Sequence, residues 1–411
     1  MSIAAPVSAR SPERKPLLLP TLLLCLCIIG LEGYDIQAFG VAAPHMMAEI
    51  GLGADAQGWI GSAAMAGLIA GAFAGGILSR FISQRIILFV AMLAFGSCSI
   101  LTAMLSDIAS LLTVRFLAGV GFGGALPLVI AIVGEVASER RRALAVTVAF
   151  CGLPAGAAIV ALYAHSMMDG VDWRSIFISG GIPPILLAPF IFWLMPRQTG
   201  TVAEKSSGVM HDLLGQGRML ATLLVWVTFA TTLLIVYLML NWLPSLVITK
   251  GLPPADGASA AFIFNIASIA GALMLAVIVD RVGFRWPLCA AYVALTVVLA
   301  IMSISDDQGL VLLLAAMAGF LVVGPQCALY ALIPWIYPPH ARALGAGASV
   351  GMGRLGSIAG PLIAGQMRAG GHSADAVFLF LAPVPLIAAA AVLLLGSPRL
   401  RTIAHGDEGE H

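Results

Sequence analysis

Long apolar runs recur along this chain, separated by short polar or Pro/Gly-containing turns. A membrane-spanning helix needs about 20 mostly apolar residues. On that scale the pattern predicts twelve helices, at 17–44, 56–79, 86–105, 109–134, 143–166, 174–195, 218–248, 257–279, 286–304, 309–336, 343–367 and 374–396. The longest break is PRQTGTVAEKSSGVMHDLLGQG, from Pro196 to Gly217. The expected organisation is a tail at 1–16, six helices at 17–195, a linker at 196–217, six helices at 218–396 and a second tail at 397–411.

Composition sharpens this picture. The chain is 60% hydrophobic and only 10% charged, against about 25% charged residues in soluble domains. A chain of 411 residues with so few charges cannot cover its surface in water, so the bilayer is its natural solvent. Arg10, Arg14 and Lys15 precede the first run as in a signal peptide. That run is too long for a signal peptide and lacks a convincing cleavage site, so it is expected to be a mature helix. The net charge of +1 offers no basic face for nucleic acid. Six cysteines lie in apolar runs without a CxxC pair, which predicts buried small hydrophobes and no metal site.

Charge placement gives an orientation. With the N-terminus in the cytoplasm, sixteen of the 21 basic residues fall in cytoplasmic segments. Arg174, Lys250 and Arg368 fall outside, and Arg115 and Arg354 lie within predicted spans. The bias places both termini inside. Matches at a constant offset of 200 residues indicate an internal repeat: Pro44 with Pro244, Gly119 with Gly319, Gly124 with Gly324, Arg142 with Arg342 and Gly156 with Gly356. Duplicated six-helix halves imply a cavity between them. The intramembrane charges are not duplicated. Glu32 and Asp35 align with Thr232 and Ile235, Arg115 with Ala315, and Arg354 with Pro154. A repeated scaffold carrying unrepeated charges points to a working site.

Several stretches carry a family resemblance: EGYDIQAFGVAAP (32–44), RFLAGVGFGGALP (115–127), GEVASERRRALAVTVAFCGLPAGAA (134–158), WLPSLVITKGL (242–252), VDRVGFR (279–285) and YPPHARALGAGASVGMGRLGSIAGP (337–361). Through them the chain resembles, almost end to end, the aromatic acid:proton symporters of the major facilitator superfamily. The resemblance implies an all-α membrane protein of twelve helices, with two six-helix bundles around a central cavity. It also implies proton-coupled uptake of a small aromatic carboxylate by alternating access. The expected setting is a monomer in a bacterial cytoplasmic membrane, with no cofactor beyond the proton gradient. Two departures stand out. Glu32 replaces the family's first Asp in helix 1, and Arg80 stands where the superfamily loop between helices 2 and 3 usually has Asp. Asp280, Arg281 and Gly283 keep that loop pattern in the second half.

The candidate chemistry centres on Glu32 and Asp35, three residues apart and so on one side of a helix. An ionised acid at mid-bilayer costs at least about 2.5–3.5 kcal/mol. Such acids are either satisfied by a neighbouring helix or handle protons. Gly33 between them would let a helix or a substrate approach the backbone closely. Arg115 is expected to face Asp35 or Glu32 across the cavity. At 1.5 Å per residue, Asp35 lies roughly 27 Å from the cytoplasmic start of its helix and Arg115 roughly 28 Å from the cytoplasmic end of its own. Asp35, Glu32 and Arg115 therefore form the expected proton-coupling group, with Asp35 as the favoured carrier. Arg354, among small residues, suits a substrate carboxylate, or alternatively a structural partner.

Tyr34, Gln37, Phe150, Tyr237, Asn241, Trp242, Asn265, Gln326 and Tyr330 lie on the helices that line the cavity in this fold. Aromatic rings offer stacking surface, and amides offer hydrogen bonds to a ring hydroxyl. Glu135, Arg142, Asp280, Arg281 and Arg342 are expected to form and break gating contacts at the cytoplasmic helix ends, where positive-inside topology alone would also place the arginines. The glycines of Gly119–Gly124 imitate a nucleotide loop, but no strand precedes them, and helix packing explains them better. No Walker A, HExxH or GxSxG pattern occurs, and no nucleophile–base constellation suggests an enzyme. Efflux of an aromatic or drug-like compound, or an aromatic-acid sensor built on the same scaffold, are the alternative functions.

Overall fold

The structure is a computed structural model describing residues 18–78, 81–136, 148–167, 172–195, 213–215, 218–337 and 342–396. Every regular element among the described residues is helical. The first half contains α1 (Leu18–Ile50), α2 (Ala54–Leu78), α3 (Gln84–Thr102), α4 (Ile108–Val136), α5 (Gly152–Ser166) and α6 (Trp173–Leu187). The second contains α7 (Met219–Thr249), α8 (Pro254–Val282), α9 (Arg285–Met302), α10 (Gln308–Ile336), α11 (Arg342–Ala369) and α12 (Ala374–Leu381). A short 3-10 turn at Ala188–Phe190 carries α6 on to Leu194, and α12 resumes at Val384–Leu395. Most of the expected 196–217 linker lies outside the described residues.

Eleven helices among the described residues are long and apolar enough to cross a membrane. The exception is α11, whose 28 residues are rich in glycine, alanine and serine. α1 runs six residues past the predicted end at Pro44, because that proline sits inside the helix. Proline removes one N–H and one helical hydrogen bond without always ending a helix. Its repeat counterpart Pro244 lies inside α7 in the same way.

Glycines set the helix spacing. Between apolar helices in lipid, association comes from close packing rather than from a hydrophobic drive. A Cβ on Gly33 would overlap the Leu153 carbonyl of α5, and one on Gly156 the Gly30 carbonyl of α1. The equivalent pair in the second half repeats this, with Gly356 of α11 against the Ala230 carbonyl of α7. Gly119 and Gly123 bring α4 onto Ala64 and Leu68 of α2, so the nucleotide-loop look-alike is a packing stripe.

The repeat also shows in the turns. Gly51 and Gly251, 200 positions apart, end α1 and α7 at φ +74° and +93°, a region that favours glycine. They mark one end of the bundle, here the turn end. Each half is clipped there by an ionic contact between its first and last helices. In the first half, Glu49 of α1 accepts from Arg174 Nη1 at 2.8 Å and from Trp173 Nε1 at 2.7 Å, both on α6. In the second half, Lys250 after α7 pairs with Asp375 of α12 and lies 3.5 Å from Asp306. The acid and the base have exchanged places between the halves.

Among the described residues the halves meet chiefly along α1 with α7, α2 with α11, and α5 with α8, with a smaller contact of α1 with α8. The described polar contacts between them lie between mid-depth and the turn end. Gln37 Nε2 donates to the Leu240 carbonyl at 3.1 Å. That carbonyl lacks its usual helical donor because residue 244, four positions on, is a proline. Asn265 Nδ2 donates to Gln37 Oε1 at 2.9 Å, and Gln57 Nε2 to Ser245 Oγ at 3.0 Å. Ser62 donates to the Ile358 carbonyl at 2.8 Å, and His165 Nδ1 lies 3.1 Å from Ser259 Oγ. Gly58 and Gly365 bring α2 and α11 nearly into backbone contact. The seam is thus closed toward the turn end by uncharged side chains and His165.

Candidate functional site

Near mid-depth the halves part around a cavity of about 690 Å³, a figure that includes its mouth. Its wall is drawn from both halves. α1 contributes Glu32; Phe150 and Cys151 precede α5, which adds Leu153; α7 contributes Tyr237; α10 contributes Gln326 and Tyr330; and α11 contributes Arg354. Leu233, Ala272, Val323 and Val350 complete an apolar surround.

The two acids of α1 have separate partners. Arg115 Nη1 of α4 donates to both Asp35 oxygens, at 2.7 and 2.9 Å. The expected Asp35–Arg115 approach is present, within the first half rather than across the cavity. The Arg115 side chain is 1% exposed and its Cζ lies 5.4 Å from the Phe39 ring centroid and 5.7 Å from that of Phe177. Aromatic faces stabilise a desolvated guanidinium, so this cation is held on three sides.

Glu32 is not clasped in this way. It is 2% exposed, and neither of its oxygens accepts a hydrogen bond from the described residues. Its nearest cation is Arg354 of the opposite half, with Nη2 3.8 Å from Glu32 Oε1. Arg354 Nη1 donates to the Tyr237 hydroxyl at 2.6 Å, and its Cζ lies 5.6 Å from that ring's centroid. Glu32 also borders a smaller space between α1, α2, α3 and α4, which Asp35 lines as well. It therefore stands between the buried Asp35–Arg115 pair and the main cavity.

Of the expected substrate residues, the structure gathers Arg354, Phe150, Tyr237, Gln326 and Tyr330 around the cavity. It places the others elsewhere. The Tyr34 hydroxyl lies 2.8 Å from Ser179 Oγ of α6. Two residues beyond Glu32, Tyr34 is turned by about 200° around the helix, so it faces α6. Gln37 and Asn265 bond each other in the seam. Asn241 donates back to the Tyr237 carbonyl at 2.8 Å, and Trp242 is buried at 2% exposure. These four sit too near the turn end to line the cavity. Of the expected gating residues, Asp280 and Arg281 are exposed at the end of α8, which Gly283 caps at φ +82°. Arg142 lies outside the described residues, as do the side chains of Glu135 and Arg342.

The cysteines also depart from expectation. All six are free, but Cys27 is exposed on α1, and Cys151 and Cys327 line the cavity half-buried from opposite halves. Sequence reasoning missed the seam residues Gln57, Ser62, Ser245, His165 and Ser259. A signal for Gln57 was present, since an amide within an apolar helix needs a partner. The rule that a proline frees the carbonyl four residues earlier points to Leu240.

Twelve helices among the described residues, in two repeated halves around a charged central cavity, define a major facilitator transporter, and sequence comparison gives the same answer. The Major Facilitator Superfamily profile matches residues 25–361 and again 258–410, and the chain belongs to that superfamily. It is 36% identical to the 3-(3-hydroxy-phenyl)propionate transporter of Escherichia coli (strain K12), over 96% of this chain and 98% of that protein. It is 28% identical to the gallate transporter of Pseudomonas putida, over 92% of each chain. It is also 28% identical to the 4-hydroxybenzoate transporter PcaK of Pseudomonas aeruginosa, over 94% of this chain and 93% of that one. Solved structures agree on the fold. The nucleoside transporter NupG superposes with a TM-score of 0.75 at 14% identity, covering 93% of this chain and 100% of its own. The inward-open xylose transporter XylE from E. coli gives 0.74 at 16% identity, covering 92% and 96%. The protein is a multi-pass membrane transporter and not an enzyme.

Proposed function

We propose that this protein takes up a small aromatic carboxylate together with a proton, across a bacterial cytoplasmic membrane, with both termini inside. The observation that carries this reading is the Glu32–Arg354 pair facing across the cavity at 3.8 Å. Arg354 is a partly exposed cation at the cavity wall, positioned for a carboxylate, and a bidentate guanidinium–carboxylate contact is the strong form of that interaction. Glu32 already holds the position that a substrate anion would take. A proton on Glu32 frees Arg354, and the substrate carboxylate then replaces it. The aromatic ring lies against Phe150 and the apolar wall. The charge count at the cavity is then the same before and after loading, so the halves can rock without leaving an unpaired buried charge.

In this reading Glu32, rather than Asp35, exchanges the proton directly with the cavity. Asp35 and Arg115 hold each other within the first half and keep α1 and α4 in register. The turn end is the outer face, so the closed seam describes a transporter shut toward the outside. The names of the relatives support the substrate class. Proteoliposomes with an alkaline interior should accumulate labelled benzoate or hydroxybenzoate, and a protonophore should abolish that accumulation. Accumulation that survives collapse of the gradient rules out proton coupling.

A further inference from the structure

The polar groups of the cavity divide into those already engaged and those that are not. Arg354, Tyr237 and Glu32 are tied to one another. The Gln326 carboxamide and the Tyr330 hydroxyl make no hydrogen bond to any described residue, although both line the cavity. They are four residues apart on α10 and so share one of its faces. The Tyr330 ring is fixed in place, with its centroid 5.9 Å from that of Phe150 and 5.4 Å from that of Phe229. Its hydroxyl is therefore held in position without a partner. We propose that Gln326 and Tyr330 read a hydroxyl on the substrate's ring, so that the preferred cargo is a hydroxylated aryl monocarboxylate.

This rests on the reading of the cavity as an aryl-carboxylate site. A flat ring entering that space strips water from both groups. A bare ring gives nothing back, and a buried polar group left without a partner is costly. A hydroxyl is donor and acceptor at once, and a carboxamide offers both roles, so the match holds whichever way the amide is turned. A second carboxylate would bring another anion to a place with only neutral donors, since Arg354 is the one cation lining the cavity among the described residues. Sites built around a substrate hydroxyl discriminate strongly against its absence. Within a partly open cavity, a preference of at least about tenfold is expected.

The test uses purified full-length protein in proteoliposomes, with benzoate, 3-hydroxybenzoate and phthalate competing against labelled 3-hydroxybenzoate uptake. The unaltered protein should favour 3-hydroxybenzoate over benzoate by about tenfold or more and take phthalate poorly. Gln326→Leu should bring the two monocarboxylates within about threefold of each other, chiefly by weakening the hydroxylated one. Tyr330→Phe should narrow the gap by a smaller factor. Thermal unfolding in detergent shows whether each variant is intact. A preference that survives both substitutions overturns the inference, as does an equal loss for both acids. Equal uptake of both acids by the unaltered protein overturns it alone. Failure to take up any aryl carboxylate overturns the proposed function with it.

Discussion

Glu32→Gln removes a charge from the cavity while keeping the side chain's shape. Two unit charges at the 3.8 Å separation of Glu32 and Arg354 attract by roughly 4 kcal/mol at an effective dielectric near 20. An entering carboxylate must overcome that attraction unless a proton has already done so. If a third of it survives solvent screening, its removal tightens binding by about 1.4 kcal/mol, or tenfold. The same change deletes the group that exchanges a proton for the substrate. The variant should therefore bind benzoate or 3-hydroxybenzoate about tenfold more tightly by titration calorimetry in detergent. It should exchange labelled for unlabelled substrate between proteoliposome compartments, yet fail to accumulate it when the interior is made alkaline. Its binding should also vary less with pH, because in the unaltered protein rising pH restores the competing carboxylate. Full gradient-driven accumulation by Glu32→Gln would refute the reasoning, and would return the proton to Asp35.

Other outcomes follow from the same contacts. Asp35→Asn leaves Arg115 buried with its charge uncompensated, so it should cost roughly 3–5 kcal/mol and lower the unfolding temperature, which Glu32→Gln should not. Gly365→Leu has no room against Ala54 and Gly58 of α2. It should hold the seam open and raise the labelling of a cysteine introduced at Ser62. Asn265→Ala removes the donor to Gln37 and should bias the protein the same way more weakly, by about 1 kcal/mol. Glu49→Ala breaks an ion pair whose carboxylate is 52% exposed, so uptake should barely change.

The apolar runs made the helices legible, and the structure extends the repeat offset to the paired turns at Gly51 and Gly251. The Asp35–Arg115 contact was legible too, because helix rise converts sequence position into depth. Depth alone could not assign partners around the helix axis. Glu32 and Tyr34 are two residues apart, yet one faces the cavity and the other faces Ser179. The 200° between them is a sequence-level fact, but which side held the cavity depended on how α1 packs against α5 through Gly33. Gln37, Asn241 and Asn265 were expected at the cavity for their chemistry. They went to the seam because the halves close there, and closure is a property of two helices meeting rather than of either sequence. The cross-half Glu32–Arg354 approach was hidden for the same reason, since its partners are 322 positions apart.

The composition of α11 has a consequence for how the protein is made. Of its seven glycines in 28 residues, Gly356 and Gly360 meet the α7 backbone and Gly365 the α2 backbone, and the composition leaves it too weakly apolar to rank with the other eleven helices as a spanning segment. A helix of that kind, with Arg354 at its centre, gains little from entering lipid by itself. Its insertion has to draw on neighbours already in place, with α7 offering the groove around Ala230 and α2 the groove around Gly58. Composition thus leads us to expect a late, assisted membrane entry for this segment. On that expectation the arginine that faces Glu32 is among the last charges to reach its depth.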